Sequence, residues 1–124
     1  MTDNRDQHIA AVLQQYVEAI SGDDVEAVVA LFAEDAVVED PVGSPPQEGK
    51  SALRDFYQIA VDSVERMELE GNVRVRDSFG AAAMRAKIKG VDLAMETLDV
   101  MEFNEQGLIV RMTAYWGDTN MVEA

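Results

Sequence analysis

The feature that most constrains this chain is a change of hydrophobic period near Arg66. Before it, apolar residues recur every three to four positions; after it, they recur at every second position. Ile9, Leu13, Tyr16, Val17 and Ile20 form one helical stripe over about 5–20. Ser21 and Gly22 stop that helix. Asp23 or Asp24 can cap a second, whose stripe is Val25, Val28, Val29 and Phe32. A short strand is predicted over 36–40, halted by Pro41 and the turn-rich residues 41–46. A third helix, over about 50–64, carries Leu53, Phe56, Tyr57, Ala60 and Val64 on one face. Strands are then predicted over about 67–76, 79–89, 91–103 and 108–117, with turns at Lys89-Gly90 and at 104–107. The expectation is one α+β domain spanning 1–124, with three N-terminal helices packed on a curved, mainly antiparallel sheet. Such a sheet, bent over helices, encloses a pocket between the layers.

Composition narrows the function more by exclusion than by identification. Ten basic residues against 24 acidic ones give a net charge of −14. A surface this negative repels phosphate backbones and anionic lipid, so no nucleic-acid or membrane partner is expected. The chain has no cysteine, hence no disulfide and no thiolate metal site. Residues 1–8 are polar, unlike a signal peptide, and no window approaches the ~18 apolar residues of a membrane span. A cytoplasmic location is the expectation.

The informative residues are polar groups that the two periods turn inward. On the predicted strand 91–103, one parity reads Val91, Leu93, Met95, Thr97, Asp99, Met101, Phe103, while Asp92, Glu96 and Glu102 lie on the other. Asp99 is thus a mid-strand aspartate on the apolar face, where it must be paired, solvated by a cavity, or protonated. Asp40 shares parity with Ala36 and Val38; Tyr16 and Tyr57 lie on the apolar stripes of the first and third helices. Singly, such a tyrosine is commonly core and an aspartate before proline commonly a turn residue. Together, in a chain of this size, they point to one polar site inside an apolar pocket. Two carboxylates there can have their pKa values driven apart, one serving as base and the other as a neutral hydrogen-bond donor. That arrangement suits proton abstraction beside a carbonyl, with the enolate oxygen as the stabilised charge.

Several stretches resemble bacterial Δ5-3-ketosteroid isomerases, within the nuclear-transport-factor-2-like, SnoaL-like superfamily. They are Tyr16, Ser21-Gly22-Asp23, the run from Leu31 to Gly43 with its Glu39-Asp40-Pro41, Asp55-Phe56-Tyr57, Leu98 to Phe103, and Ala114-Tyr115-Trp116. The resemblance implies a conical fold, a homodimer, a steroid in the cone, and no cofactor or metal. It casts Asp40 as general base, Tyr16 and a protonated Asp99 as oxyanion donors, Tyr57 as hydrogen-bond partner of Tyr16, and Trp116 as neighbour of the base. This family is itself the standard instance of a carboxylic acid kept neutral at pH 7 by apolar surroundings. Phe32, Phe56, Met84, Met112 and Val38 are expected to line the steroid site. Phe32 stands where some members carry another tyrosine, and Ala86 where some carry a bulky aromatic. Two other readings remain. One is an epoxide hydrolase or polyketide cyclase of the same fold, which needs a His or Arg that the inward faces lack. The other is a non-catalytic module for hydrophobic ligands.

Overall fold

The computed structural model describes residues 4–124; the first three residues of the polar N-terminal stretch lie outside it. Helix α1 (Asn4–Ser21) buries Ile9, Val12, Leu13, Tyr16, Val17 and Ile20, the stripe its sequence dictates. Asp23, at φ 57°, turns the chain, and the Asp24 carboxylate caps α2 (Val25–Val29) by accepting from the Ala27 N–H at 3.1 Å.

The second helix is shorter than its stripe suggests. Phe32 belongs instead to strand β1 (Phe32–Glu39), which therefore starts four residues earlier than expected. The physical reason is a register shift between Phe32 and Val37, where β1 pairs with a later strand. An irregularity of this kind breaks the two-residue alternation. It buries the adjacent Phe32 and Ala33, exposes Glu34 and Asp35, then buries Ala36, a spacing that imitates a helix.

Strand β2 (Gln47–Glu48) pairs antiparallel with β1. Helix α3 (Lys50–Ser63) buries Leu53, Tyr57 and Val61 and passes directly into strand β3 (Val64–Arg76), with Val64 already extended. Strands β4 (Phe79–Ile88), β5 (Leu93–Phe103) and β6 (Ile109–Tyr115) complete an antiparallel meander. A final strand, β7 (Met121–Glu123), pairs with the start of β5. The sheet order is β2-β1-β6-β5-β4-β3, and β1 lies parallel to β6. The result is an α+β architecture of three helices on a curved, mixed sheet.

The core fills the space between helices and sheet. The layers approach closely at Gly80 on β4. A Cβ there would lie 2.6 Å from Ile9 Cγ2 and 3.0 Å from Leu13 Cδ1, so α1 seats against bare backbone. No described helix is long and apolar enough to cross a membrane.

Candidate active site

Where the helices do not seal the sheet, a cavity of about 210 Å³ remains. Its lining brings together Tyr16 from α1, Phe56 and Tyr57 from α3, Asp40 from the end of β1, Thr97 and Asp99 from β5, and Trp116 beyond β6. The rest is mostly apolar, including Met67, Ala86, Ile88 and Met95.

The sheet accounts for the placement of both carboxylates. Asp99 pairs with Ala82 on β4 and Ala114 on β6, so its inward-facing neighbours are two buried methyl groups. It is only 2% exposed. The one side-chain hydrogen bond to it among the described residues comes from the Thr97 hydroxyl, which donates to Oδ1 at 2.8 Å. Burial, against a smaller opposing effect of that hydrogen bond and with a further push from Asp40, raises its pKa to about 7.

Asp40 lies just past β1, whose Glu39 is in register with Thr113 of the parallel β6. The two strands therefore end side by side, which sets Asp40 next to Trp116. The indole Nε1–H donates to Asp40 Oδ1 at 2.7 Å. Asp40 is half-buried; desolvation raises its pKa, and the indole hydrogen bond opposes the rise. Its strand neighbour Glu39 points away and pairs with exposed Arg111 at 3.4 Å.

Both tyrosines are fully buried. Their hydroxyls share a hydrogen bond of 3.0 Å, and their rings meet edge to face at 5.8 Å. Burial, first among the causes, pushes both phenols well above the ordinary tyrosine range, so both are neutral donors at any working pH. Phe32 packs at 5.5 Å against the Tyr57 ring and adds no hydroxyl, so the chain of phenols ends at Tyr57.

Of the expected lining residues, only Phe56 reaches the cavity. Phe32, Val38, Met84 and Met112 do not line it; they belong to the closed core. On β4 the inward column runs Gly80, Ala82, Met84, Ala86, Ile88, and only its far end, Ala86 and Ile88, emerges from under the helices. Sequence parity identifies inward residues but not how far along a strand the covering helix extends. Thr97 escaped the sequence reading as a site residue, although its position two residues before Asp99 on the same parity was a usable signal. His8 is remote from this cavity: its Nε2 lies 2.9 Å from the Gly107 carbonyl oxygen. Among the described residues, no cluster of three or more His, Cys, Asp or Glu side chains could hold a metal ion.

The arrangement sets a buried phenol pair, a buried carboxyl that desolvation pushes toward its protonated form, and a half-buried second carboxyl around one apolar space. That is the equipment for moving a proton on a neutral ligand while holding the oxygen that becomes negative.

The SnoaL-like domain profile matches residues 13–112. A steroid Delta-isomerase of Nocardioides simplex is 32% identical over 118 residues, covering 92% of this chain and 94% of that protein. The epoxide hydrolase LasB of Streptomyces lasalocidi is 27% identical over 116 residues; the match covers 88% of this chain and 41% of that protein's length. Among solved structures, the epoxide hydrolase/cyclase-like enzyme SalBIII, with a role in pyran ring formation in the polyether salinomycin, superposes with a TM-score of 0.87. It is 27% identical, and the match covers 95% of this chain and 97% of that one.

Proposed function

The chain belongs to the SnoaL-like domain family, and within it we propose that the protein is a cofactor-independent steroid Δ-isomerase, converting Δ5-3-oxosteroids to their conjugated Δ4 isomers. The observation that carries this reading is that Tyr16 and a carboxyl, Asp99, whose burial favours its protonated form, line the same cavity as Asp40.

In this mechanism the Asp40 carboxylate removes a proton from the carbon between the carbonyl and the alkene. The C–H electrons form a new C=C bond, and the carbonyl electrons move onto oxygen, giving a dienolate. Tyr16, polarised by the hydroxyl of Tyr57, and Asp99 donate hydrogen bonds to that oxygen as its charge grows. The protonated Asp40 then returns the proton two carbons away, and the double bond comes to rest in conjugation. Base and donors act on opposite sides of one step, so no external acid is consumed.

The same reading includes a homodimer in solution. On the outer face of the sheet, Ala83–Leu98–Tyr115 and Ala81–Val100–Thr113 form adjacent rows without a charge, and Leu98 and Tyr115 are 45% and 46% exposed. Sedimentation of the purified protein reads this directly, and a monomer at micromolar concentration would remove the dimer from the proposal.

Epoxide opening is the second reading, favoured by the likeness to LasB and SalBIII. Against it, among the described residues no His, Arg or Lys lines the cavity to assist an epoxide oxygen or a hydrolytic water. The deciding experiment follows ultraviolet absorbance of the conjugated enone on a Δ5-3-oxosteroid, with wild type, Asp40→Asn and Tyr16→Phe. Wild type turns over, Asp40→Asn is nearly inactive with its fold intact, and Tyr16→Phe is slower by ~10²–10³, the usual loss for one oxyanion donor. Full activity in Asp40→Asn, or no turnover by wild type, defeats the assignment.

A further inference from the structure

Thr97 is a buried hydroxyl in the cavity wall that the proposed chemistry does not employ. It is 8% exposed, and it stands two residues before Asp99 on the same face of β5. Side chains at this spacing run alongside each other, and here Oγ1 and Oδ1 meet at 2.8 Å. We infer that Thr97 is a positioning residue: its hydroxyl fastens Oδ1 of Asp99, so that Oδ2 carries the carboxyl proton and is the oxygen offered to the ligand.

The surroundings of Asp99 leave this task to Thr97. On β4 and β6 its strand neighbours are Ala82 and Ala114, which hold no polar side-chain atom. From the helices, Tyr16 and Tyr57 line the same cavity, but their hydroxyls hydrogen-bond each other. Among the described residues, the only other acidic or basic group in the lining is Asp40, whose Oδ1 accepts from the Trp116 indole. A carboxylic acid with neither oxygen held could place its proton on either one and rotate between them. With Oδ1 accepting from a hydroxyl, the acid proton is directed to Oδ2, and the donor is set before a ligand arrives.

A second consequence concerns pH. A hydroxyl donating to Oδ1 favours the ionised carboxyl, in opposition to burial and to the like charge of Asp40. Removing that hydroxyl therefore raises the pH at which Asp99 ionises. The catalytic part of this role rests on the isomerase reading; the hydrogen bond and its effect on titration do not.

The test is a ¹³C NMR titration of the ligand-free protein labelled at aspartate, with the Asp99 signal identified by its loss in Asp99→Asn. In Thr97→Val, nearly the same in volume, the Asp99 midpoint moves up by about one to two pH units, the scale of one hydrogen bond to a charged group. Thr97→Ser, which keeps the hydroxyl, returns the midpoint to the wild-type value. If Thr97→Val does not fold, Thr97→Ala removes the same hydroxyl and gives the same upward movement. In the steroid assay the alkaline limb of the pH–rate profile moves with the midpoint. At pH values below both midpoints kcat falls several-fold, while KM is unchanged and Thr97→Ser restores kcat. An unmoved midpoint in the hydroxyl-free variant, or an equal movement in Thr97→Ser, overturns the inference. A moved midpoint in a protein whose wild type has no isomerase activity overturns the proposed function and not the hydrogen bond.

Discussion

Replacing Asp99 by Asn isolates the energetic consequence of burying that carboxyl. Asp99 ionises at about 7 in the folded protein, against an ordinary value of 3.8. Between those limits the folded state holds a proton that the unfolded state has released. Raising the pH through this window therefore favours unfolding, by about 1.4 kcal/mol per pH unit. Below 3.8 both states are protonated and the penalty is absent; above about 7 both are ionised and it levels off. The window spans about three pH units, so the penalty reaches about 4 kcal/mol at neutral pH and above. No discount for solvent screening applies at 2% exposure. Asn has no proton to lose. The stability difference between Asp99→Asn and wild type should therefore climb by about 4 kcal/mol in favour of the variant between about pH 3 and pH 8, then stay flat. Asp40, also raised, contributes a slope of the same sign to both proteins, which largely cancels in the difference. The assay is urea unfolding at a series of pH values, followed by the fluorescence of Trp116, the chain's single tryptophan. A difference that does not change with pH would mean that Asp99 titrates as a solvated carboxyl, and the account of the site would fail with it.

Other substitutions test separate links. Trp116→Phe removes the indole donor that favours ionised Asp40, so the acid limb of the isomerase pH–rate profile should move to higher pH; an unmoved limb would separate the indole from the base. Gly80→Ala puts a methyl 2.6 Å from Ile9 Cγ2, and thermal or urea unfolding should show a loss of about 1–3 kcal/mol, the usual scale of overpacking. No loss would mean that α1 can lift from β4 without cost.

Much of the site was legible before the structure because both periodicities are strict where it matters. Along β5 the burial of Thr97, Asp99, Met101 and Phe103 follows parity without a break, so an inward aspartate could be read from the pattern alone. The helical stripe of α1 likewise delivered Tyr16 to the core. Where the backbone departs from regularity, the reading slipped. Phe32 continues the i, i+3, i+4, i+7 spacing of Val25, Val28 and Val29 although the helix ends at Val29, and β2 and β7, at two and three residues, are too short to show any period. The four residues expected to line the site and found in the core are a different kind of miss. Phe32, Val38, Met84 and Met112 do face inward, but whether an inward position meets a ligand or a helix depends on where the helices end.

The sequence by itself determined which residues face the interior, since that depends only on the repeat of each element and the cost of exposing apolar surface to water. It thereby placed two tyrosines and two aspartates on buried faces of four separate segments. Only the tertiary structure decided which of these groups meet. Asp40 adjoins Trp116 because β1 runs parallel to β6, a pairing between segments some seventy residues apart that no local pattern encodes. Thr97 became the partner of Asp99 because Ala82 and Ala114 leave that carboxyl no other side chain to bond on its own sheet. Local sequence sets orientation; proximity across the chain is set by how strands choose their neighbours, and the shifted pKa of Asp99 is a property of that choice.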